Sequence, residues 1–202
     1  MADPKVSWDA VYLSNYELTV FWDVHWVSKA RDLYECAKKL EPEILRVLEN
    51  YRAVSRKEAT RLEPDHYQGV YFMLLSYAME NLLKAAVISR EGRRYKEEFL
   101  ANKKFPQELR EHDLVVLAQM VGLVFEGGEE DLFRRLSRSA VWHGRYPAPL
   151  KWPEMSGTAT FIDGKERRIS WYAADDIERL NALVAGLPAR LGFNERDWGC
   201  AC

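Results

Sequence analysis

The chain has 202 residues, 48% apolar and 12% aromatic, which suits one domain with a sizeable core. Its 29 Lys and Arg nearly balance 31 Asp and Glu, so no global field marks a nucleic-acid or membrane partner; any polyanion site must be a local patch. Three cysteines, Cys36 alone and Cys200 and Cys202 at the terminus, make no disulfide framework. The opening MADPKVSWDA lacks the basic and apolar regions of a signal peptide, so a reducing cytoplasm is expected.

Apolar periodicity predicts a helix from about Tyr16 to Tyr51, with Trp22, Trp26, Leu33, Ala37 and Leu40 on one face. Pro42 is expected to interrupt it and open a second segment through Ile44, Leu45 and Leu48. The next helix starts near Pro64, where proline suits a first turn. It runs through Val70, Leu74, Leu75, Ala78, Leu82 and Leu83, and ends around Arg90 at Gly92. Its apolar run VYFMLLSYAMENLLKAAVI carries Glu80, Asn81 and Lys84 at the centre. Those groups are costly in lipid, so a core helix and no membrane partner are expected.

Residues 92 to 110 read as charged and irregular, and HDLVVLAQMVG as a short helix closed by Gly122. FEGG is a loop. EEDLFRRLSRSAVWH reads as a helix with acids first and bases later, as the macrodipole favours, stopping at Gly144 and Pro147. After the Pro-rich YPAPLKWPEM the period changes. TATFIDGKERRISWY predicts a β-hairpin over 158–172 around Asp163-Gly164. AADDIERLNALVAGLPARLG closes the fold as a helix weakened by Gly186 and Pro188, and residues 193–202 read as a loose tail. The expectation is an all-α antiparallel bundle: a core over 64–190, with residues 1–60 as a helical extension packing on it.

The four histidines lack metal-site spacing, with no His-Glu-x-x-His and no Cys-x-x-Cys, so neither a metal nor a cofactor is expected. There is no Gly-rich phosphate loop and no Gly-x-Ser-x-Gly elbow, which leaves Rossmann, P-loop and hydrolase readings without support. His25, inside FWDVHW, is expected to be a packed core or interface residue. His66 is expected to be exposed, and His112 to cap or pack at the start of the short helix. His143 differs from these, with Arg138 five residues before it and Arg145 two after. On a regular helix Arg138 and His143 diverge by roughly 140°, so they share a face only if the helix ends or bends between them. Arginine donates bidentately to phosphate, and histidine moves a proton near neutrality. Together such a pair can activate a ribose 2′-hydroxyl and stabilise the crowded phosphorane.

The segments in order resemble the HEPN family, α-helical prokaryotic toxins, defence nucleases and nucleotidyltransferase partners. YFMLLSYAMENLLKAAVI is similar to its first long core helix, with Glu80 and Lys84 one turn apart. EHDLVVLA resembles its His-x-Leu helix, RSAVWHGRYP its Arg-to-His signature, and YAADDIERLNALVAG its final helix. The resemblance implies a metal-independent endoribonuclease working as a homodimer, a toxin or defence effector with an antitoxin or nucleotidyltransferase partner. Carried over by position, Arg138 contacts the scissile phosphate, His143 orients or deprotonates the 2′-hydroxyl, and Glu80 orients the arginine. Ser139 stands where the family favours Asn, Asp or His. Arg135, Arg145 and Tyr146 are assigned to RNA or phosphate binding at the same mouth. Lys165, Arg167 and Arg168, beside Trp171 and Tyr172 in the hairpin, give the basic and aromatic mixture that single-stranded RNA contacts use. The alternative is a non-catalytic HEPN-like dimeric module that binds nucleotide, RNA or a protein with this basic mouth.

Overall fold

A long central helix organises the rest of the chain. The computed structural model describes residues 8–63, 67–143, 145, 159–162, 165–168, 172, 174–194 and 198; at 8, 142, 143, 174 and in the two strands only the backbone is described. The elements are α1 (Trp8–Phe21), α2 (Asp23–Ser55), α3 (Gln68–Asn102), a 3-10 turn (Glu108–Arg110), α4 (Leu114–Met120) and α5 (Glu129–Arg138). A π-turn (Ser139–His143), strands β1 (Ala159–Ile162) and β2 (Lys165–Arg168), and α6 (Ala174–Arg190) complete them. The fold is all-α in class. The strands pair antiparallel with Ala159 opposite Arg168 and Ile162 opposite Lys165.

α3 is the spine because its middle is apolar all round, the mark of a helix covered on every side. Tyr71, Phe72, Leu75, Met79, Leu82, Leu83 and Ala86 are all buried. Its most apolar window is long enough to cross a membrane by composition, but 72% of that window is buried inside the protein's own core. α2 lies along it. Val27, Ala30, Tyr34, Ala37, Ile44 and Leu48 form a seam at alternating three- and four-residue steps, broken by one polar position, Glu41. The two alanines let the backbones approach closely. At the polar step, Asn181 of α6 donates to Glu41 Oε2 at 2.9 Å, tying a third helix to the seam.

Three boundary expectations are corrected. Pro42 does not interrupt α2, which is continuous from Asp23 to Ser55. The proline is exposed and lies between the buried Ala37 and Ile44, whose packing holds the helix together across it. The break falls instead at Trp22, whose extended backbone separates α1 from α2. There Trp26 Nε1 donates to the Val20 carbonyl at 2.9 Å, satisfying an orphan acceptor at the end of α1. Trp22 is left exposed, and so is His25, whose ring meets the Trp22 ring edge-on at 5.9 Å; His25 is therefore not a core residue.

α3 does not stop at Gly92 either, and residues 92–102 are helical rather than irregular. Gly92 is buried where α1 ends on α3: a Cβ there would lie 3.2 Å from the Phe21 carbonyl oxygen and 3.3 Å from Ile88 Cγ2. Beyond it Tyr95 and Phe99 are buried, with Phe99 against the rings of Tyr16 and Phe21 at 5.1 and 5.6 Å. The outer face carries Arg93–Glu97 and Arg94–Glu98 pairs one turn apart. α4, α5 and α6 cover the opposite side of the spine through Leu114, Leu117, Phe133, Leu136, Leu180 and Val184. α6 passes through Gly186 and Pro188 without a break.

Candidate functional site

The site is built around Glu80 and Lys84, one turn apart in the buried middle of α3. Lys84 Nζ lies 2.7 Å from Glu80 Oε1, with the two side chains 4% and 10% exposed. An ammonium has no lone pair, so Oε1 accepts from Lys84. The same oxygen lies 3.0 Å from His112 Nδ1, which must therefore carry its proton and donate. The His112 side chain is 69% exposed. Glu80 Oε2 is buried and has no hydrogen-bond partner among the described residues.

His112 is fixed by its neighbours in sequence. Glu111 Oε1 accepts from the backbone N–H groups of His112 and Asp113, both at 2.8 Å. The Asp113 amide first, then the His112 amide, hold the Glu111 carboxyl below its ordinary value against the opposing effect of burial. Asp113 is the N-cap of α4, its Oδ1 accepting from Val115 N at 2.8 Å and Val116 N at 3.3 Å. The capping role weighed for His112 thus falls to its neighbour. Ser137 Oγ accepts from Leu114 N at 3.0 Å, so the start of α4 is pinned to the residue preceding Arg138.

Arg138 ends α5 as an exposed cation, where the helix dipole favours positive charge. The chain then widens into the π-turn from Ser139 to His143. Hydrogen bonds from i to i+5 bring the backbone at 143 back over that at 138, which an α-helix does not do. The turn docks on the spine through Tyr77, whose hydroxyl donates to the Ala140 carbonyl at 3.4 Å. Arg145 covers the Tyr77 ring at 5.2 Å. Tyr77 and Glu80 are three apart on α3, so π-turn, Arg145 and the Glu80–His112 pair occupy one face. Tyr77 thus carries the turn at Ala140 and Arg145 one step along α3 from Glu80, and Ser137 ties the end of α5, beside Arg138, to the start of α4 that follows His112.

Two predicted site residues are held elsewhere. Arg135 is buried, its guanidinium bidentate on Asp176 at 2.8 and 3.0 Å. Asp131 lies 2.8 Å from its Nε, out of line for a hydrogen bond but close enough to pair electrostatically. Burial works against the Arg135 charge, and the bond to Asp176 outweighs it. Ser139 is also buried. Its Oγ donates to the Arg135 carbonyl at 3.2 Å, leaving the Tyr172 hydroxyl at 3.1 Å as donor to it. Tyr172 stacks on Phe72 at 3.5 Å and lies under the Arg135 guanidinium at 5.0 Å; burial pushes its phenol above the ordinary value. Arg135 and Ser139 therefore brace the π-turn from behind and do not line the mouth.

The side chains of His143, Lys165, Arg167 and Arg168, and all of Tyr146, Trp171 and His66, lie outside the described residues. Among the described residues no group of three His, Cys, Asp or Glu is placed to hold a metal ion. Sequence reasoning missed His112 as a partner of Glu80, together with Asp176 and Tyr172. The one available signal was the His-Asp pair opening α4, which reads equally as a helix start. No protein-family model, curated protein or solved structure matches the chain.

Proposed function

We propose that the chain is a HEPN-type endoribonuclease that cleaves RNA without a metal, as a homodimer with two such mouths in one cleft. The observation that carries this reading is the π-turn that begins directly after Arg138 and ends at His143. It removes the geometric objection to a five-residue spacing, and π-turns inside helices are frequent at functional sites. Arg138 grips the scissile phosphate as a bidentate donor, and His143 takes the 2′-hydroxyl proton. The 2′-oxygen attacks phosphorus, and the products are a 2′,3′-cyclic phosphate and a 5′-hydroxyl. Glu80 and Lys84 form the buried floor, and Arg145 adds charge at the rim. A toxin or defence effector of this kind is held in check by an antitoxin or nucleotidyltransferase partner.

The second reading, a non-catalytic HEPN-like module for nucleotide or RNA, is favoured by one observation. Ser139, which stands where the family favours Asn, Asp or His, is turned into the core with its hydroxyl bonded to Arg135 and Tyr172. Incubation with RNA in EDTA separates the readings. Cleavage that survives chelation and is lost in Arg138→Ala and His143→Ala supports the enzyme. Saturable nucleotide binding without cleavage supports the module, and a strict monomer in solution contradicts the shared cleft.

A further inference from the structure

The corner where α3, α4 and the end of α5 meet holds a second histidine that the reaction above leaves idle. His112 is fixed at one end and open at the other: Nδ1 donates to the buried Glu80 at 3.0 Å, while the side chain is 69% exposed. Glu80 is held in turn by Lys84, so one edge of the ring is anchored to the buried pair. Nε2, the nitrogen on the opposite edge, is the one left to meet a substrate. Other charges at this corner are Glu111 and Asp113 beside it in sequence, and Arg138, placed at the same corner by Ser137. Glu111 is occupied by two backbone N–H groups and Asp113 by the start of α4, so Glu80 is the carboxylate left to serve the ring.

We propose that His112 is a catalytic proton donor to the leaving 5′-oxygen of RNA. This rests on the reading that Arg138 and His143 promote attack by the 2′-hydroxyl. As the 2′-oxygen bonds to phosphorus, its proton passes to His143. The phosphorus–O5′ bond breaks, its electron pair stays on the 5′-oxygen, and that oxygen takes the Nε2 proton of cationic His112. His112 is left neutral, still donating from Nδ1 to Glu80. Solvent then removes the proton from His143 and returns one to His112. Atoms and charge balance without any further reactant.

The test compares two substrates in EDTA: a short RNA, and a ribonucleoside 3′-(4-nitrophenyl phosphate) whose leaving phenolate needs no proton. His112→Ala is expected to slow RNA cleavage by about 100-fold or more and to remove the alkaline limb of its rate–pH profile. The same variant is expected to turn over the nitrophenyl ester at close to the wild-type rate. His112→Gln, which can still donate to Glu80 but cannot release a proton, is expected to behave alike. His143→Ala is expected to lose both substrates. Wild-type rates on RNA in either His112 variant, or equal losses on both substrates, overturn the proposal and leave the Arg138–His143 reading standing. A wild-type chain that cleaves neither substrate overturns that reading, and this proposal with it.

Discussion

Two buried carboxylates each hold a cation against the spine, and their surroundings differ. Asp176 grips Arg135 bidentately, with Tyr172 below the guanidinium, Ser139 beside the phenol and Phe72 stacked on the far side. That corner is sealed. Glu80 grips Lys84 through one oxygen and shares it with an exposed histidine, while its other oxygen has no hydrogen-bond partner among the described residues. A buried carboxylate with both oxygens engaged specifies structure, whereas one with an oxygen to spare leaves an acceptor for chemistry. The sealed corner braces the π-turn through Ser139, and the open corner reaches solvent through His112.

Breaking the sealed corner is expected to cost most. Asp176→Asn keeps the shape but removes the bidentate counter-charge of the buried Arg135 and leaves it with Asp131, an expected loss of about 3 kcal/mol in urea unfolding. Lys84→Met applies the same break to the open corner. Glu80 keeps His112 and has an exposed neighbour through which water can reach it, so a smaller loss of about 2 kcal/mol is expected. Equal losses would mean that the two corners are sealed alike, and the distinction would fail. Tyr172→Phe removes only the hydroxyl that donates to Ser139, and is expected to cost about 1 kcal/mol. Because that bond braces the π-turn, its effect on RNA cleavage is expected to exceed its effect on the melting temperature.

The contrast also explains what could be read in advance. The middle of α3 was legible because its apolar positions recur at helical spacing, and Glu80 with Lys84 because partners one turn apart are visible in one dimension. Its continuation past Gly92 was not. Glycine costs a helix about 1 kcal/mol, and only the burial of Tyr95 and Phe99 against α1 repays it. Pro42 misled for the same reason, since tertiary packing around Ala37 and Ile44 overrides a local breaker. Both corners are closed by residues more than 30 positions away: His112 meets Glu80, and Tyr172 meets Ser139. No spacing rule reaches that far. The π-turn has no residue signature either, so a helix end and a widened turn look alike in RSAVWHGRYP.

Acid distinguishes the corners more gently. The Glu111 carboxyl, held low by the amides of Asp113 and His112, adds stability that is fully present above its unfolded value of 4.5. That stability is lost as pH falls through the lower folded value. Glu111→Gln is therefore expected to flatten the fall in melting temperature below about pH 4.5, with little change at pH 7. An unchanged acid slope would show that the segment carrying His112 is not held by this carboxylate.

The smallest expected effect on stability is the one that sharpens the comparison most. His112→Ala removes an exposed ring and leaves Glu80 paired with Lys84, so unfolding is expected to change by no more than about 0.5 kcal/mol. In a structural corner a silent stability change would go with silent function. Here the same substitution is expected to cost RNA cleavage about 100-fold. A large loss of stability would place His112 with Tyr172 and Asp176, as a group that seals a carboxylate. Unchanged stability with lost cleavage places it at the mouth, where Glu80 holds one ring nitrogen so that the other is free to give up a proton.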